Sequence, residues 1–173
     1  FQPSIDKKAI SDICTTSFVK EKRNVVFIGS PGTGKSHLSI GIGIKAILKG
    51  YKVLFTQVSE MLQALYFSKA DNSYYNKLNY YLAPDLLILD ELGFKKIPNY
   101  SADDFFEIIS KRYEKGSVII TTNKKFEAWS EIFADPVLSS AIIDRIVHYS
   151  TVIEINGPSY RTKDIKKKGG ETK

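Results

Sequence analysis

Short apolar runs of strand length alternate along the chain with longer segments in which apolar residues recur every three or four positions, the rhythm of βα units around a parallel sheet. Asn24-Val25-Val26-Phe27-Ile28 reads as a buried strand that runs straight into glycines, and 37–49 as a helix stopped by Gly50. Further strands are expected at 53–56, 86–89, 118–121 and 152–155, and helices at 59–69, 74–82, 102–113, 127–133 and 136–148. Ser4 is placed to cap a first helix over 5–14. The pattern predicts one α/β domain with a five-stranded parallel sheet sandwiched by helices on both faces. The expected domain is 1–162, followed by a basic, disordered tail at 163–173.

Composition narrows this picture without redirecting it. A chain of 173 residues is enough for one domain with a substantial core. No apolar run approaches the ~20 residues that cross a bilayer, so no membrane partner is expected. Cys14, the single cysteine, allows no internal disulfide and fits a reducing cytoplasm; it is expected to be a small buried apolar residue. Phe1-Gln2-Pro3-Ser4 has neither an initiator Met nor the blocks of a signal peptide, and reads as the edge of a longer protein. The net charge of +6 divides into +2 over 1–23, +4 over 157–173 and a neutral middle. A basic end is as readily a solvated terminus as a phosphate-binding arm.

The chemistry is concentrated at the ends of the expected strands. Gly29-Ser30-Pro31-Gly32-Thr33-Gly34-Lys35-Ser36 matches G-x-x-x-x-G-K-[ST] at every fixed position, between a strand and a helix. Glycines let successive backbone N–H groups turn toward phosphate, and the helix N-terminus adds partial positive charge. Lys35 reaches the β- and γ-phosphates, Ser36 ligates Mg²⁺, and His37 completes the expected ATP/ADP-binding run. Leu86-Leu87-Ile88-Leu89 delivers Asp90 and Glu91 to a strand end, Asp90 to hold Mg²⁺ and Glu91 to deprotonate the attacking water. Asn123, after Thr121-Thr122, is placed to sense the γ-phosphate. His37 and His148 have no partners at metal-ligand spacing, and Trp129 reads as core.

The segments GSPGTGKSHL (29–38), LLILDELG (86–93), AIIDRIVH (141–148) and GPSYR (157–161) resemble the IstB-like helper ATPases of bacterial insertion sequences. They are also similar to the DnaC-type helicase loaders; both belong to the AAA+ class of P-loop NTPases. The resemblance spans nearly the whole chain. It implies that Arg145 is an arginine finger acting in trans within an ATP-dependent homo-oligomer, and that Arg161 is the second sensor arginine. It also implies no separate helical lid, because the chain stops soon after Arg161, and an N-terminal partner- or DNA-binding domain that is missing here. The 59–83 segment occupies the place of the clade's pore-facing helix, where Lys69 and Lys77 are candidate contacts to DNA of any sequence, while Tyr80 and Tyr81 are expected to pack inward. The resemblance implies an ATPase that assembles on DNA and recruits or stimulates a transposase. The alternatives are a loader that delivers a replicative helicase and a nucleotide-gated DNA-binding scaffold with negligible turnover.

Overall fold

The interior of β1 (Asn24–Gly29) is buried residue by residue, and its side chains go alternately to opposite faces. Val25 and Phe27 enter one core, Val26 and Ile28 the other. β3 (Leu86–Leu92) divides in the same way, Leu86 and Ile88 against Leu87 and Leu89. Strands covered on both faces carry continuous apolar runs instead of a polar alternation. The computed structural model describes residues 5–133 and 135–162. With β2 (Val53–Gln57), β4 (Ser117–Thr122) and β5 (Ser150–Ile155), these strands form one sheet in the order β2-β3-β4-β1-β5, parallel at every pairing. The expected five-stranded α/β architecture is the one found.

Helices cover both faces. On one lie α1 (Lys7–Cys14), α2 (Ser17–Lys20) and α3 (Lys35–Leu48), which contribute Ile13, Phe18, Val19, Ile42 and Ala46. On the other lie α4 (Val58–Ser68), α5 (Tyr74–Leu82), α6 (Asn99–Arg112), α7 (Ser130–Phe133) and α8 (Pro136–Val147). Met61, Leu65, Leu78, Phe105, Phe133 and Ile142 fill that second core around Trp129, which is fully buried as a core residue should be. Each such apolar side chain contributes about 1.5–3 kcal/mol by leaving water. Arg112 is buried with them. Its guanidinium donates to the carbonyl oxygens of Tyr81, Leu82, Asp85 and Ser117 and so ties the end of α5 to the starts of β3 and β4. Burial pushes its pKa down to about 10, with Asp85 opposing, so it stays charged near neutrality.

Several local expectations change. The first helix starts at Lys7, capped by the Asp6 carboxylate, which accepts from the amides of Lys8 and Ala9; the expected cap Ser4 lies outside the described residues, as does the 163–173 tail. The four-residue α2 was not expected; it is too short to show a helical period. The helix expected over 127–133 is a 3₁₀ turn, Phe126–Ala128, followed by α7. β3 continues past Leu89 through Asp90 and Glu91 to Leu92. Tyr81 is buried, but Tyr80, expected to pack inward, is 54% exposed. Cys14 is only partly buried. The chain leaves β1 through α3 to reach the far edge at β2, while β4 and β5 flank β1. That change of direction opens a crevice at the carboxyl ends of β1, β3 and β4.

Candidate functional site

The loop between β1 and α3 bends where only glycine is comfortable. Gly32 (φ +78) and Gly34 (φ +99) are left-handed, and a Cβ on Gly32 would lie 2.0 Å from the Ser159 hydroxyl. The same contact brings the chain's late segment over the loop, where the Tyr160 amide donates to the Gly32 carbonyl at 2.9 Å. A cleft of about 740 Å³ opens here. The run from Pro31 to His37 lines it, opposite Glu91, Asn123 and Arg161, with Ile5, Phe94 and Tyr160 as apolar or aromatic wall. Ile5 and Phe94 carried no signal in the sequence, because nothing in their spacing links them to the loop, whereas Tyr160 lies within the GPSYR segment on which the resemblance rests.

Lys35, half-buried at the start of α3, folds back on the loop. Its ammonium donates to the carbonyl oxygens of Gly29 (2.7 Å) and Ser30 (2.9 Å). Burial is the main cause that holds its pKa below the ordinary lysine value; the Arg161 charge acts in the same direction, while Asp90 and Glu91 oppose. Charges from three widely separated parts of the chain, Lys35, Asp90-Glu91 and Arg161, therefore act on one another here. The Ser36 hydroxyl donates to Asp90 Oδ1 at 2.9 Å, joining the phosphate loop to the end of β3. Asp90 is 5% exposed, and the ion pairs within 4.0 Å among the described residues do not include it.

A buried carboxylate whose partners are hydroxyls is an oxygen donor set suited to a hard cation, and Ser36 with Asp90 fits Mg²⁺ on that ground. Among the described residues there is no cluster of three or more His, Cys, Asp or Glu side chains for a metal. Glu91 is exposed on the cleft side, in a left-handed conformation (φ +62). Its amide donates to Thr121 Oγ1 at 3.0 Å, and the same hydroxyl donates to Asp90 Oδ1. Thr121 belongs to the Thr121-Thr122-Asn123 run that drew attention to Asn123; its own contacts depend on strand register.

The remaining candidates lie apart from the cleft. Arg145 sits on α8 with its guanidinium 4.8 Å from the centre of the Phe106 ring and donating to the Ala141 carbonyl. Lys69 caps α4 and is paired with the buried Asp104 at 2.8 Å. The Tyr74 hydroxyl lies within hydrogen-bond distance of both Asp104 (2.9 Å) and Glu107 (2.6 Å), and its one proton serves one carboxylate at a time. Burial, then these two carboxylates, raise the Tyr74 pKa far above its usual value. Lys77 lies on α5 with its ammonium 5.5 Å from the centre of the Tyr80 ring. His148, the C-cap of α8, bonds the Tyr113 hydroxyl. A second groove, of about 410 Å³, runs between α4 and the loop after β3; Glu91 and Phe94 form the wall it shares with the cleft. No helix among the described residues is long and apolar enough to cross a membrane.

The sequence profile of the IstB-like ATP binding protein family matches residues 1–168. The chain is 41% identical over 173 residues to the insertion sequence IS21 putative ATP-binding protein of Pseudomonas aeruginosa, covering 100% of this chain and 65% of that protein. It is 44% identical over 164 residues to the insertion sequence IS232 putative ATP-binding protein of Bacillus thuringiensis subsp. berliner, covering 95% of this chain and 66% of that protein. It thus spans just under two thirds of the length of these relatives. Among solved structures it is similar to a DNA replication initiation factor (TM-score 0.72, 26% identity, 93% of this chain and 50% of that one). It also shares the fold of the DnaC helicase loader (TM-score 0.70, 24% identity, 86% of this chain and 89% of that one).

Proposed function

The chain belongs to the IstB-like ATP-binding protein family, with an AAA+ P-loop fold, and from that premise we propose that it is a Mg²⁺-dependent ATPase that regulates transposition on DNA. The observation that carries this reading is the bond from the Ser36 hydroxyl to Asp90, which brings the phosphate loop onto the acidic end of β3. Backbone amides of 29–36 and the Lys35 ammonium bind the phosphates; Lys35 exchanges the carbonyls of Gly29 and Ser30 for phosphate oxygens. Ser36 and Asp90 would hold Mg²⁺, which would supply positive charge to the bound phosphates. Glu91 accepts a proton from the water that attacks the γ-phosphorus, with ADP as leaving group, and Asn123 orients that water beside it. Arg161, which lines the same cleft as Lys35, stabilises the same phosphates. Arg145, which the family resemblance marks as an arginine finger, lies against Phe106 and the Ala141 carbonyl, away from its own cleft, and is assigned to the site of a neighbouring subunit.

The ATPase assembles on DNA without regard to base sequence and recruits or stimulates a transposase. Family membership and the insertion-sequence relatives support this role. Lys77, with its Tyr80 neighbour, is the better of the two proposed phosphate contacts, since Lys69 is already paired with Asp104. Glu91→Gln tests the chemistry: the amide keeps the shape and loses the base, so ATP should still bind while phosphate release falls by about a hundredfold or more. Parental turnover by Glu91→Gln would remove Glu91 from the mechanism.

A further inference from the structure

The strand pairing around the two acids is uneven. Leu89 pairs with Ile120 and Leu92 with Thr122, so Asp90 and Glu91 together face one residue of β4, Thr121. Two residues against one is a β-bulge, which deprives the extra residue of its ladder partner and re-aims its side chain. Here the extra residue is held in a left-handed conformation (Glu91 φ +62), unfavourable for any residue with a Cβ. The Thr121 hydroxyl takes the place of the missing partner: it accepts from the Glu91 amide at 3.0 Å. Its proton goes to Asp90 Oδ1, which also receives the Ser36 hydroxyl. A hydroxyl has one proton and two lone pairs, so these two bonds fix the orientation of a side chain that is 1% exposed.

We propose that Thr121 is the positioning residue of the hydrolytic site, setting the metal-binding and water-activating carboxylates in one geometry through a single hydroxyl. The inference rests on the reading of Asp90 and Glu91 given above. Its carboxylate bond holds Asp90 toward Ser36, and its bond to the amide keeps the bulge that presents Glu91 to the cleft. Valine has nearly the same shape and neither bond, whereas serine keeps the hydroxyl and loses only a methyl group.

The test compares Thr121→Val and Thr121→Ser with the parent chain in Mg²⁺-dependent phosphate release. It also measures the affinity for ADP carrying a fluorescent ribose label, with and without Mg²⁺. Thr121→Val should lose about ten- to a hundredfold in kcat, the worth of a hydrogen bond to a charged group. It should lose the Mg²⁺ enhancement of ADP affinity but keep the metal-free affinity. Thr121→Ser should retain most of both. Should valine not yield folded protein, Thr121→Ala removes the same hydroxyl with less crowding. Parental kcat and Mg²⁺ response in the hydroxyl-free variant would overturn the proposal, and so would equal losses in the valine and serine variants. A parent that releases no phosphate would instead refute the hydrolysis reading. The Mg²⁺ dependence of ADP affinity then decides the role of Thr121: lost in valine and kept in serine supports it, any other pattern overturns it.

Discussion

Lys35 shows what a single side chain can be asked to do. Its ammonium is half-buried, depressed in pKa by that burial, and donates to two carbonyls of its own loop. Phosphate offers it what the carbonyls lack, an acceptor of opposite charge. Lys35→Ala should therefore weaken ATP binding by about tenfold or more while thermal unfolding stays near the parent's. Isothermal titration on the folded variant measures this, and unchanged affinity would remove Lys35 from the phosphate site. At this scale the phosphate loop was legible because its residue types and spacing are dictated by backbone geometry around an anion. Thr121 was not, since its role arises from the register between two strands. Lys69 shows the converse: its residue type suggested a phosphate contact, and the fold adds Asp104 beside it, which nothing in the sequence announced.

Among the elements, β1, β2, β4 and β5 were legible to within two residues because burial on the sheet faces writes itself as apolar runs. β3 was cut short at Leu89, since two acids in succession look like a loop and a bulge leaves no mark in composition. The helix start at Asp6 was missed for a similar reason: serine and aspartate both cap well, and only geometry chooses between them. Arg112 was likewise silent in the sequence, a cation in an amphipathic helix that turns out to be 2% exposed. It satisfies four carbonyls where α5, β3 and β4 converge, at the opposite end of the sheet from the cleft. Arg112→Met fills similar volume but strands those carbonyls, so unfolding free energy should drop by about 3 kcal/mol or more. Denaturant titration reads this directly; a change below about 1 kcal/mol would mean that water replaces the guanidinium.

The whole molecule raises a question no single chain answers, because Arg145 stands on α8 against Phe106 and not in its own cleft. If it completes a neighbour's site, Arg145→Ala should bind ATP like the parent and hydrolyse it poorly, by about 10³-fold or more as for other arginine fingers. Mixing Arg145→Ala with Lys35→Ala should restore part of the activity, since some interfaces then pair an intact pocket with an intact arginine. Co-assembly without rescue would place Arg145 back as a structural side chain of α8. DNA enters at the same scale. Its binding should weaken steeply with salt, because phosphate contacts release counterions, and should differ little between unrelated sequences. The most direct measurement of the central claim is steady-state phosphate release as a function of protein concentration, with and without Mg²⁺ and with and without duplex DNA. Mg²⁺-dependent turnover whose specific activity rises with concentration, and rises further on DNA, is the predicted result; no Mg²⁺-dependent phosphate release at any concentration, with or without DNA, would contradict it.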